Sequence, residues 1–118
     1  MLLLVNRTRL DGMLVDTYTV RMDDLRFVWD DRKNLANRKK HRVSFEEART
    51  AFLDENAKVY FDPDHSRAED RFILLGISLQ LRVLVVCHCY REGDAVVRII
   101  SARRADKAEQ EDYWRLTP

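Results

Sequence analysis

Three runs rich in valine, isoleucine and leucine follow one another at residues 71–79, 82–90 and 95–102, with only short connections between them. The first connection is about Gln80-Leu81, and the second includes Glu92-Gly93-Asp94. Connections this short join neighbouring antiparallel strands, because a parallel crossover needs a dozen or more residues. A shorter strand at 58–61 and a polar loop at 62–70 precede them. The expected sheet is therefore an antiparallel meander of about four strands.

Helical signals flank the meander. A short strand at 25–29 leads to Asp30, which caps a helix over 31–40, with Asp31 at its positive end. Ser44 and Glu47 form the Ser-x-x-Glu pattern of a capping box, and Phe45, Ala48, Phe52 and Leu53 make the buried stripe of a second helix. Asp106 and Glu109 cap a last helix that ends near Trp114. The fold class is α+β: two N-terminal helices, the meander, and a C-terminal helix. Residues 22–118 read as one domain, an ordinary size for a single modest core. Residues 1–21 differ from the rest and leave two readings open. Leu10-Asp11-Gly12 is a turn signal for a marginal hairpin, or Met22 is the natural start behind a loosely held extension.

Charge excludes a uniformly basic nucleic-acid coat. The formal net charge is only +1, yet residues 31–42 carry six basic side chains against one acidic, and residues 44–55 carry four acidic against one basic. A polyanion site must therefore be local. Cys87 and Cys89 sit two apart in an apolar run, a spacing that suits packing on one strand face better than a disulfide and fits a reducing cytoplasm. Leu2-Leu3-Leu4-Val5 is too short for a signal-peptide core and no apolar run approaches a membrane span. The expectation is a cytoplasmic chain with no membrane partner.

The turns also predict which side chains meet. A two-residue turn at Gln80-Leu81 puts Ile73 opposite His88 and Arg71 opposite Tyr90. An even loop after Tyr90 then adds Val97, Ile99, Ser101 and Arg103 to that face, and leaves Phe72, Leu74, Val83, Val85, Cys87, Val96 and Ile100 for helix packing. Arginines on a partly open face can grip a phosphodiester, and a histidine among them can move protons near neutral pH. That set suits cleavage of RNA by its own 2′-hydroxyl, which requires no metal and no cofactor. Lys33, Asn37 and Lys40 or His41 recur at helical spacing and line one helix face.

The run from Trp29-Asp30 through Lys33, Asn37, Lys40-His41 and Val43-Ser44-Phe45-Glu46-Glu47-Ala48 resembles the opening of the BrnT toxin family, roughly W-D-x-x-K-x-x-x-N-x-x-K-H-G-V-S-F-E-E-A. Asp62-Pro63-Asp64-His65-Ser66 with Glu69 and Arg71 resembles its central loop. Val85-Val86 with His88, and Arg98-Ile99-Ile100-Ser101-Ala102-Arg103, resemble its closing strands. The resemblance implies a RelE-like ribonuclease fold, cleavage of RNA free or on the ribosome, growth arrest, and neutralisation by a BrnA-type antitoxin. Such an antitoxin pairs a toxin-binding segment with a ribbon-helix-helix dimer, so operator DNA is contacted only through it. Lys33, Lys40, His41, Arg71, His88, Arg98 and Arg103 fall at matching positions. Arg71, His88 and Arg103 are the expected catalytic residues. Lys33, Lys40, His41 and Arg98 are expected to bind RNA or antitoxin. One departure is Arg42, which replaces a glycine at the end of the first helix and predicts an adjusted or slightly strained corner.

Each signal also has a plainer explanation. His88 within an apolar strand is equally a packed histidine, and arginines at strand ends are commonly solvated. Cys87-His88-Cys89 does not make a zinc site, because adjacent strand residues point to opposite faces. His65 and Ser66 lie in one polar turn, where bonding to local backbone is the expected role. Trp29 and Trp114 read as core or interface anchors. The competing function is a non-catalytic module that docks a protein or nucleic acid. Metal-dependent hydrolysis through Asp62, Asp64, Glu69 and Asp70 is a poorer third, since all four lie in one loop.

Overall fold

A computed structural model describes residues 3–10, 13–20, 25–93 and 95–116. Strands β1 (Leu3–Leu10) and β2 (Met13–Val20) pair antiparallel with each other. Asp11-Gly12 of the expected turn, and Met22, lie outside the described residues. Strand β3 (Arg26–Val28) precedes helix α1 (Asp31–His41). Asp30 caps α1 as the sequence predicts, its carboxylate accepting from the amides of Arg32 and Lys33 at 2.8 and 3.1 Å.

Helix α1 has no apolar stripe, because Leu35 points outward and its buried residues are Asn34 and Asn37. Two amides therefore dock it. Asn37 Nδ2 donates to the carbonyls of Val43 and Ala102, both at 2.8 Å, and its Oδ1 accepts from the Ala102 amide at 3.1 Å. Asn34 Oδ1 accepts from the Phe45 amide at 2.9 Å, which fixes the start of helix α2 (Phe45–Thr50). The basic helical face is thus broken at Asn37: Lys33 and Lys40 are exposed while Asn37 is buried.

Only half of the expected capping box forms on α2. Ser44 Oγ accepts from the Glu47 amide, but the Glu47 carboxylate turns inward to the Arg82 guanidinium and the Ser78 hydroxyl. Phe45, Ala48 and Phe52 are buried as predicted. Leu53 is exposed, because the chain tightens into a 3-10 turn at Ala51–Leu53 and leaves the helical spacing.

Strands β4 (Lys58–Phe61), β5 (Phe72–Ile77), β6 (Val83–Arg91) and β7 (Val96–Arg104) form the predicted antiparallel meander. The sheet is larger and mixed, which corrects the four-strand antiparallel expectation. Strand β3 adds parallel to β7, and β2 pairs with β4, giving the order β1-β2-β4-β5-β6-β7-β3 among the described residues. A parallel partner for β7 needs a long crossover, and the whole stretch from α1 to β6 supplies it. Helices α1 and α2 cover one sheet face through Phe45, Phe52, Leu74, Leu84, Val86, Val97 and Ile99. Helix α3 (Lys107–Leu116) packs on the other through Tyr113, against Leu75, Val83 and Val85. No described helix is long and apolar enough to cross a membrane.

The corner after α1 carries the expected strain. Arg42 sits in the left-handed region at φ 60°, ψ 29°, with its amide donating to the Arg38 carbonyl. A side chain there costs about 1–2 kcal/mol, partly offset by the freedom that glycine adds to the unfolded chain. Arg42→Gly is expected to stabilise the fold by about 0.5–1 kcal/mol in urea denaturation. A destabilised variant would show that this corner is not strained.

Candidate active site

The register differs from expectation at two places. Strands β5 and β6 are joined through a three-residue loop, 79–81, closed by Ser78 and Arg82, with Leu81 left-handed at φ 63°. Ile73 therefore faces Cys87, and Phe72 faces His88. A bulge then shifts the β6–β7 register between Cys87, opposite Ser101, and His88, opposite Ile99. The two one-residue shifts cancel for the end of β7. Arg71, Ser101 and Arg103 share a face as predicted, while His88, Tyr90, Val97 and Ile99 move to the other.

That first face holds a cleft of about 370 Å³ lined by strand residues Tyr60, Cys87 and Arg103, by Arg71 just before β5, by Asp62 and His65 of the polar loop, and by Glu109 of α3. The loop is tied shut at its base, with the Asp62 amide donating to the Arg71 carbonyl at 2.8 Å. Ser66 Oγ donates to the Asp62 carbonyl at 2.5 Å and accepts from the Arg71 amide at 2.9 Å, the local backbone role its sequence position predicts. His65 is exposed beside it, with Nδ1 2.9 Å from Asp62 Oδ2.

Arg103 is held as a fork. Its Nη1 and Nη2 donate to Glu109 Oε1 and Oε2 at 2.7 and 2.9 Å. Glu109 is itself fixed by a reciprocal capping box at the start of α3: Asp106 N donates to its Oε1, and its own amide donates to Asp106 Oδ1, both at 2.8 Å. Burial raises the Glu109 pKa, but the Arg103 guanidinium and the Asp106 amide more than reverse this, so the carboxylate is held below its usual range. Glu109 in turn makes Arg103 harder to deprotonate. Burial, and then the Glu109 charge, push Tyr60 up to about 12, so its hydroxyl stays protonated as a hydrogen-bond donor. Burial likewise raises the Cys87 thiol, with Arg71 opposing, which leaves it a poor nucleophile. Arg71 Nε is buried and has no hydrogen-bond partner among the described residues. A buried donor left open beside a cleft is a natural anchor for an anionic ligand.

His88 does not join these groups. It is fully buried, against Phe52 of the 3-10 turn after α2 and Phe72 of β5, at ring-centroid distances of 5.0 and 6.2 Å. Its Nδ1 lies 3.1 Å from the Val86 carbonyl and its Nε2 3.1 Å from Tyr90 Oη. Both contacts fit one neutral tautomer, donating from Nδ1 and accepting at Nε2. Burial pushes its pKa down to about 4, against the opposing Val86 bond. The expected proton carrier is a core histidine. Lys33, Lys40, His41 and Arg98 line no part of the cleft. Arg98 pairs across from Cys89, further along β7.

Sequence reasoning missed Tyr60, Asp62, His65 and Glu109 as cleft residues. A signal existed for three of them. Tyr60 and Asp62 share strand parity with Ile73, and Asp62-x-x-His65 has the spacing of a tight turn whose ends meet. Glu109 was read as a helix cap, which it is, and the cap's second bond to Arg103 depends on tertiary geometry.

The sequence profile of the family described as "Ribonuclease toxin, BrnT, of type II toxin-antitoxin system" matches residues 29–109. Among solved structures, the chain is similar to the Brucella abortus ribonuclease toxin, BrnT, at 25% identity and a TM-score of 0.52, covering 69% of this chain and 96% of that one. No curated protein sequence matches the chain.

The placement of His88 predicts a pH dependence. Its folded pKa of about 4 lies below the unfolded 6.5, so the unfolded chain binds the extra proton first. This contribution is present in full above pH 6.5 and is lost as pH falls toward 4. It amounts to something on the order of 3 kcal/mol at most, from a shift of 6.5 to about 4. His88→Phe should flatten that part of the stability profile in urea titrations at stepped pH. An unchanged profile would place the titrating group elsewhere.

Proposed function

The chain belongs to the BrnT family of ribonuclease toxins of type II toxin–antitoxin systems, and from that premise we propose that it cuts RNA in the Arg71–Arg103 cleft without a metal ion. The observation that carries this reading is the fork of Arg103 on Glu109, set beside the open Nε of Arg71 on the same sheet face. Arg103, held by Glu109, and Arg71, with its Nε open, offer donors to the non-bridging oxygens of one phosphodiester, where negative charge grows as the phosphorane forms.

The remaining chemistry is proton transfer. Asp62 orients His65 through Nδ1, which turns Nε2 toward acceptance of the 2′-hydroxyl proton. The 2′-oxygen attacks phosphorus, the bond from phosphorus to the 5′-oxygen breaks, and a cyclic phosphate and a 5′-hydroxyl result. Tyr60, protonated across the physiological range, gives its proton to the leaving 5′-oxygen and takes one back from solvent, while His65 releases the 2′-hydroxyl proton to solvent. In the cell this activity arrests growth. A BrnA-type antitoxin with a ribbon-helix-helix DNA-binding dimer silences it. The same reading makes residues 22–118 the toxin unit, of RelE-like architecture, and residues 1–21 an N-terminal extension or hairpin. A family match that begins at residue 29 supports that division.

The test is RNA cleavage by the purified chain in chelator, with and without ribosomes. Wild type is expected to cleave, and Arg103→Gln to lose about 100-fold or more in rate while keeping its fold. In cells, wild type should stop growth and the variant should not. Absence of cleavage by wild type in every condition, or equal rates for the two proteins, contradicts the reading.

A further inference from the structure

Away from the cleft, a groove of about 770 Å³ lies between the C-terminal end of α1, the start of α2 and the β5–β6 loop. Its cations are Arg38, Lys39, Arg42 and Arg82, against the carboxylates of Glu46 and Glu47. Both carboxylates are already engaged. Glu47 is buried against Arg82 and Ser78, and Glu46 accepts from Asn34 Nδ2 at 2.7 Å, with Arg38 nearby. Arg38, Lys39 and Arg42 are exposed, and no described carboxylate forms an ion pair with any of them. Arg38, Lys39 and Arg42 all edge this groove, and only Arg38 is offset in part, by the nearby Glu46 charge, so the groove keeps an excess of exposed positive charge.

We propose that this groove is a second RNA-binding site, a sequence-independent phosphate track outside the cleft; the proposal rests on the ribonuclease reading. Its chemistry favours a nucleic-acid backbone over a protein. A protein interface is organised around buried apolar or aromatic anchors, and the groove has one exposed apolar residue, Leu35, and no aromatic. Backbone binding needs cations free to displace counterions, which is what the groove presents. The strained corner fits the same role, since an arginine lines the groove there where a glycine would bring no charge. The groove lies on the side covered by α1 and α2, and the cleft on the opposite face. A dinucleotide in the cleft cannot also reach the groove, whereas a longer strand passing round the domain can.

The experiment compares wild type with the full-length triple variant Arg38→Gln, Lys39→Gln, Arg42→Gly, whose exposed sites are outside the cleft. A 2′-O-methyl RNA of about thirty nucleotides, which cannot be cleaved, is titrated by fluorescence anisotropy across salt concentrations. The variant should bind at least tenfold more weakly, and its log–log salt slope should be shallower by about 2, as expected for three lost phosphate contacts. Its kcat/KM on a dinucleotide should match wild type, and that on long RNA should fall. Unchanged affinity and slope overturn the groove. Weakened antitoxin binding with unchanged RNA binding also overturns it, assigning the surface to a protein. Wild type that cleaves neither substrate contradicts the ribonuclease reading itself, and the groove proposal falls with it.

Discussion

Everything at the cleft depends on strand register. A sheet alternates its side chains with a period of two, so a single-residue slip exchanges the solvent face for the core face. Here one slip at the loop closed by Ser78 and Arg82 exchanges the faces of β6, and a bulge in β7 returns Ser101 and Arg103 to the side of Arg71. The outcome is that Arg71 and Arg103, thirty-odd residues apart in sequence, line one recess, while His88 of β6 is turned into the core. Left-handed Leu81 lets the first slip happen, since a three-residue hairpin loop characteristically ends in that conformation.

Polar side chains then lock the helices onto this frame. Asn37 joins α1 to the edge of β7 with a pattern that mimics a strand's own hydrogen bonds. Asp54 ties the 3-10 turn to both β5 and α3, accepting from the Ile77 amide at 2.8 Å and from Tyr113 Oη at 2.6 Å. The capping box of α3 extends into the cleft as the fork that orients Arg103. A residue type chosen to begin a helix therefore also orients a functional guanidinium, which links the last helix mechanically to the site.

The elements were legible in the sequence because they rest on local signals. Asp30, Ser44 and Asp106 announced three helix starts, and the Val/Ile/Leu runs with short connections announced β5 to β7 and their antiparallel order. The pairing of Arg71 with Arg103 was also predicted, though by a route in which two errors of register cancelled. His88 was misplaced because a three-residue loop and a two-residue loop differ by nothing that the residues Leu79, Gln80 and Leu81 declare. The parallel pairing of β3 with β7 was invisible for a different reason: it joins segments some seventy residues apart, and no local pattern encodes it. The burial of Asn34 and Asn37 ran against composition, since amides on a charged helix ordinarily face water.

The central claim is that the arginine cleft, and not the histidine-bearing core, receives the RNA phosphate. The most direct measurement is nuclear magnetic resonance of the isotope-labelled chain titrated with a short 2′-deoxy oligonucleotide, which binds without being cut. The account predicts shifts in the Arg71 Nε–H, Arg103 Nε–H and His65 ring resonances, with the His88 ring unmoved. Perturbation centred on His88, Phe52 and Phe72, with the arginine resonances silent, would contradict it.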